Sequence, residues 1–158
     1  MSPALSARLL DSLGPRDLAI LASLEAYRLL SSPQIRRLHF DPTHTTQAAS
    51  TRSTHRVLAR LEADRLVARL EQRVGGHGGG SSSLIWQLGP TGATILRQRA
   101  GRPRRNRFVE PSAMFTRHTL SVAEVAVSVI EATRVGAAEL VVVPREVGDT
   151  RVGGSVTR

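Results

Sequence analysis

An α+β fold, short helices running into a two-stranded antiparallel ribbon, is predicted by three observations. Residues 50–63 place Val57, Leu58 and Leu61 on one stripe and Arg52, Arg56 and Arg60, four apart, on another, so one side of a helix can bury while the other stays solvated. Residues 67–74 then alternate, with Arg69, Glu71 and Arg73 on one face and Ala68, Leu70 and Gln72 on the other. Leu84, Trp86 and Leu88 alternate likewise beyond a run of glycine and serine. Two helical stretches precede all of this. Helices, then a basic helix, then a hairpin with a Gly-rich tip is the order of a winged helix-turn-helix, here with an additional C-terminal amphipathic helix and short strand.

Taken in order, residues 1–14 form a lead-in whose Leu5, Leu9, Leu10 and Leu13 are compatible with a short helix or a frayed segment. Gly14-Pro15 opens a clearer helix to about residue 29, because proline suits the first helical position; Leu18, Leu21, Ala22 and Leu24 to Tyr27 supply its buried side. Ser31-Ser32-Pro33 caps a second helix over 34–40, with Ile35, Leu38 and His39 turned inward, and Asp41-Pro42 stops it. The polar stretch 43–49 is the turn, with Thr43, Thr45, Thr46, Gln47 and Ser50 available to cap the helix that follows.

Gly89-Pro90-Thr91-Gly92 ends the second ribbon strand and starts a helix over 93–99 that closes at Gly101. The winged-helix domain therefore spans 15–100. Residues 101–117, with Arg102, Arg104, Arg105 and Arg107 around Pro103, form a basic linker. In the extension 118–158, Ser121-Val122-Ala123-Glu124 reads as a capping box, and Val122, Val125, Ala126, Val129, Ile130 and Thr133 as a helix stripe. Glu139 to Val143 is a strand by its β-branched run, and 148–158 lacks pattern. A helix and one strand suit a dimerisation element or the start of a truncated domain.

Charge is concentrated where the winged helix lies. All 22 basic residues are arginine, a preference that GC-rich coding would also produce, but residues 1–109 hold 17 of them against 7 acids, while 110–158 hold 5 against 6. A domain so biased attracts polyanions, nucleic acid before all others. No run reaches the roughly 18 apolar residues of a spanning helix, and the N-terminus lacks a signal pattern, so a cytoplasmic protein without a membrane partner is expected. The absence of cysteine excludes thiol catalysis and Cys-based zinc sites.

Candidate contacts follow from groove size, since a duplex major groove admits one helix and its N-terminal residues reach base edges. Thr51, Arg52, Ser53, His55 and Arg56 sit where base contacts arise, and Arg60, Arg69, Arg73 and His77 where phosphate contacts do. An ordinary solvated helix face carries arginine at the same spacing, and the five glycines and three serines of 75–83 equally suit a plain connector. Those glycines lack a following Gly-Lys-Ser/Thr and join two strands, which argues against a nucleotide cradle. His39, His44, His55, His77 and His118 are scattered without metal-ligand spacing, and no nucleophile-base set is placed at a strand-to-helix elbow. No cofactor, metal, small-molecule ligand or enzymatic activity is expected.

The runs Leu18-Ala19-Ile20-Leu21, Leu29-Leu30-Ser31-Ser32-Pro33-Gln34-Ile35-Arg36-Arg37-Leu38-His39-Phe40, Arg56-Val57-Leu58-Ala59-Arg60-Leu61-Glu62-Ala63-Asp64-Arg65-Leu66-Val67, Trp86-Gln87-Leu88-Gly89-Pro90-Thr91-Gly92 and His118-Thr119-Leu120-Ser121-Val122-Ala123-Glu124-Val125 resemble the replication-relaxation family of bacterial plasmids and mobile elements. The resemblance covers about 15–143. It implies a winged helix acting on double-stranded DNA in plasmid replication or transfer. Family members usually continue into an α/β region similar to a restriction-nuclease fold; Glu124 would sit on its first helix, but no Pro-Asp and Glu-x-Lys set follows, so nuclease activity is not expected. A winged-helix transcriptional repressor and a protein-interaction module of a replication complex are the alternatives. The apolar stripe of the extension calls for a partner, and a homodimer is the simplest one.

Overall fold

The computed structural model describes residues 3–74, 83–101 and 112–136, with the side chains of 3–7 and 71–74 excepted. Among them the chain is α+β, six α-helices around a three-stranded antiparallel sheet in a winged-helix arrangement. The lead-in forms α1, Pro3–Ser12. The next helix, α2, runs Pro15–Tyr27, and its first turn closes where the Gly14 N–H donates to the Asp17 carboxylate at 3.0 Å. Asp17, Ile20, Leu21 and Leu24 share its buried face, as a helix of 3.6 residues per turn requires. Ala22, expected inside, is exposed; Ile20 takes the inward place.

A strand with no counterpart in the sequence prediction follows. Arg28, at φ 66°, turns the chain into β1, Leu29–Ser31. Ser31 then caps α3, Ser32–His39, with its Oγ accepting from the Gln34 N–H at 3.4 Å while Gln34 Oε1 accepts from the Ser31 N–H at 2.9 Å. A single 3-10 turn at Asp41–Thr43 leads to α4, Gln47–Ala63, capped by Thr46 Oγ1, which accepts from the Ala49 N–H at 3.2 Å. Ser50, Thr54, Leu58 and Leu61 form its buried face. The two hydroxyls bury without penalty because they donate along their own helix, to Gln47 O at 3.0 Å and Ser50 O at 2.8 Å.

A left-handed residue ends α4. Arg65 has φ 55°, the Arg65 N–H donates to Glu62 O at 2.9 Å and the Leu66 N–H to Leu61 O at 2.8 Å, and Leu66 and Leu61 both lie in the core. This is a Schellman ending, in which glycine normally holds the left-handed position. Arg65→Gly is expected to raise stability by about 0.5–1 kcal/mol, because removal of the Cβ strain outweighs the added freedom of the unfolded chain. Urea unfolding checks it, and an unchanged or lower midpoint counts against the assignment.

The chain then enters β2, Val67–Val74, pairs it with β3, Ser83–Leu88, and β3 in turn pairs with β1, giving the order β1-β3-β2. The register sets Leu30 and Arg69 opposite Trp86 and Leu70 opposite Ile85, with an irregularity between Leu70 and Val74. Both faces of the sheet are covered. Leu30, Val67 and Trp86 join the main core with Ile20, Leu58 and Leu61, whereas Leu29, Leu70 and Ile85 form a second cluster closed by Leu120. Trp86 Nε1 donates to Ser32 Oγ at 2.8 Å, so the one tryptophan buries with its polar atom satisfied. Beyond β3, α5 spans Pro90–Arg99.

The last described helix, α6, differs most from expectation. It runs Ala113–Arg134, starting inside the predicted linker, and its cap is Ser112, whose Oγ accepts from the Phe115 N–H at 3.3 Å. Ser121, expected as a cap, is mid-helix and donates to Arg117 O at 3.0 Å; Glu124, its expected box partner, is drawn to α3. The buried face is Thr116, Ala123 and Val127, with Leu120 and Ile130 packed against the two clusters. Val122 and Val125, expected on the buried stripe, are 54% and 67% exposed.

Polar bonds choose that face. Arg37 of α3 pairs with both Glu124 and Glu131, Gln34 Nε2 donates to Leu120 O and Glu124 Oε2, each at 3.0 Å, and Arg134 donates to Arg37 O at 3.0 Å and Leu38 O at 2.7 Å. The two carboxyls are held below the usual carboxylate range, first by their bonds to Arg37. The predicted wing tip, most of the basic linker, the strand 139–143 and the tail lie outside the described residues.

Candidate nucleic-acid interface

The outer side of α4 is built by what its inner side needs. With Ser50, Thr54, Leu58 and Leu61 turned inward, the helical period leaves Arg52, His55, Arg56 and Arg60 exposed, and Thr51 and Ser53 at the margin, half-buried. Arg52, His55 and Arg56 have no hydrogen-bond or ion-pair partner among the described residues. The one acid of α4 is Glu62, in its last turn. Two guanidinium groups one helical turn apart thus stand without a counter-charge within a turn of them on their own helix.

Other predicted contact residues are held by the fold. Arg60 is paired with the buried carboxylate of Asp17, tying the second half of α4 to the start of α2. On β2, Arg69 is exposed and lies 3.6 Å from Glu62 Oε1, a loose pair. Ser53 Oγ is 3.0 Å from His44 Nε2, and His44 Nδ1 is 2.8 Å from Phe40 O. A carbonyl only accepts, so Nδ1 carries a proton, and in the neutral tautomer Nε2 accepts from the Ser53 hydroxyl. The Arg73 side chain and His77 lie outside the described residues.

The turn before α4 contributes a group that sequence reasoning passed over. His44 fastens Phe40 to Ser53, Arg16 donates to Thr43 Oγ1 at 3.1 Å with its guanidinium 4.9 Å above the Phe40 ring, and Arg36 pairs with Asp41 at 3.0 Å. These residues fix the approach of α3 to the first turn of α4. The signal available in sequence was a histidine within a polar turn beside an aromatic residue, too common a pattern to single out.

Such a surface can do two things chemically. Arginine forks match the paired acceptors of a guanine edge or a phosphate, and the free N–H groups of the first turn of α4 favour an anion nearby. Among the described residues no group of histidine and carboxylate side chains is arranged to hold a metal ion, and no helix is long and apolar enough to cross a membrane.

Neither a curated protein nor a solved structure matches the chain. A family model does, that of replication-relaxation proteins, over residues 21–149, which takes in α3, the turn, α4, the sheet and α6. The helix-turn-helix, its β2–β3 ribbon and the α6 brace all fall within that match, and the chain belongs to the replication-relaxation family.

Proposed function

We propose that this chain binds double-stranded DNA in a sequence-specific manner and acts in the replication or transfer of a plasmid or mobile element, as a cytoplasmic binding protein and not as an enzyme. The observation that carries the reading is the outer face of α4, where Arg52, His55 and Arg56 stand exposed and unpaired among the described residues while the inner face is anchored in the core. Arg52 and Arg56 enter the major groove, with His55 between them; Thr51 approaches from the margin of the same helix. Arg69 rides on phosphate from the ribbon, a contact that asks little of its loose pair with Glu62. Arg60 and Ser53 serve by holding α4 in place.

Arg52→Ala/Arg56→Ala is expected to lower duplex affinity by about thirtyfold or more, with an unchanged circular-dichroism spectrum. Arg69→Ala, which removes the phosphate contact, should instead shrink the slope of log affinity against log salt by roughly 0.9. Fluorescence anisotropy over a salt series measures both. Unaltered affinity in the double variant would favour a protein-interaction module. A footprint over an origin or nick site supports the replication or transfer role; one over a promoter supports repression.

A further inference from the structure

We infer that the outer face of α6 is a homodimer seam, in which two copies pair antiparallel about an axis between Ala123 and Glu124. Three of the four charged side chains of α6, Glu124, Glu131 and Arg134, are drawn to α3, which leaves the opposite side of the helix without charge over several turns. Along that side Phe115, His118, Val122, Val125, Val129 and Ala132 recur at intervals of three and four, the spacing of a coiled-coil seam. The positions flanking it are Met114, Thr119, Ser121, Ala126, Ser128 and Thr133, all uncharged and, apart from the exposed Met114 at one end, small, so a second helix can approach closely at the centre of the seam.

The occupant is a second copy because the seam complements itself. In the antiparallel register centred on that axis, Phe115 meets Ala132, His118 meets Val129 and Val122 meets Val125, so the largest residue of one helix lies on the smallest of the other. A parallel pairing would stack Phe115 on Phe115 and Ala132 on Ala132, a bulge at one end and a gap at the other, and would align the helix dipoles. The antiparallel pairing evens out the side-chain sizes and opposes the dipoles favourably. Val122 and Val125, at the centre, are valines within α6 that the fold itself leaves uncovered. The inference stands apart from DNA binding. Where both hold, the target is a two-fold site.

The chain has no cysteine, so single-cysteine reporters are clean. Sedimentation of the full chain at about 100 µM, where a micromolar Kd leaves little monomer, should show a dimer. Val125→Glu, an exposed change that keeps the helical spectrum, should make it a monomer. Under mild oxidation, His118→Cys mixed with Val129→Cys should form a linked dimer while neither does alone. A monomeric parent chain, as expected if residues 137–143 cover the face instead, overturns the inference; so does a dimer that survives Val125→Glu, or self-linkage of His118→Cys.

Discussion

Gly92→Ala is expected to lose about 3 kcal/mol or more of stability, a large part of what a domain of this size possesses. A Cβ at Gly92 would lie inside 3 Å of Leu66 O and 3.0 Å from Leu88 Cδ1, and one at Gly89 would lie inside 3 Å of Arg65 O. The obstacle is backbone, which has nowhere to go. The Gly89 N–H donates to Leu66 O at 2.9 Å and the Thr91 N–H to Arg65 O at 3.1 Å, so the start of α5 is bolted onto the turn that joins α4 to β2. Gly14→Ala, where the new carbon meets only Asp17 Oδ2 at 3.7 Å, is the control and should cost under about 1 kcal/mol. Urea unfolding of the two variants decides the matter, and equal midpoints would mean that the two backbones are not in contact.

Acidification from pH 7 to pH 5 should remove about 2 kcal/mol of stability through His39 alone. Burial first, and then the charges of Arg134 and Arg16, push its pKa from the ordinary 6.5 to about 4. A depressed value means that the folded chain keeps the ring neutral while the unfolded chain takes up a proton below 6.5. The stabilisation is therefore complete above 6.5 and is lost as pH falls toward 4, at about 1.4 kcal/mol per unit, less some screening of a ring that is only partly buried. Ser23 Oγ lies 3.0 Å from His39 Nε2, so His39→Gln keeps a polar partner for it and should flatten the curve over that window. Glu124 and Glu131, with lowered values, keep their contribution above the ordinary 4.5 and lose it as pH falls from there through their lowered values, so they add nothing to the change between pH 7 and pH 5. An unchanged pH dependence in His39→Gln would place the titration elsewhere.

Features written in neighbouring residues were legible in advance. Pro15 opening a helix, the Ser31 cap and the existence of two strands over Val67–Val74 and Ser83–Leu88 all depend on residues within a few positions of one another. Non-local features were hidden. The strand β1 is three residues long and takes its identity from Trp86, whose partner Leu30 is distant in sequence, so no local pattern announces it. The inner face of α6 was misjudged because hydrophobicity alone favoured Val122 and Val125, whereas Arg37 and Gln34, far back in the chain, rotate the helix by capturing Glu124 and Glu131. Within the candidate interface, the exposure of Arg52, His55 and Arg56 followed from helical period. That Arg60 is committed to Asp17 and Ser53 to His44 could be learned only from tertiary structure.

The grip of Arg37 and Arg134 between α3 and α6 has a mechanical consequence. Two glutamates and two backbone carbonyls, together with the apolar side of α6, fasten the last described helix to α3, and α3 adjoins the turn that sets α4. The helix that carries Arg52 and Arg56 and the helix farthest from it in sequence therefore share a single footing.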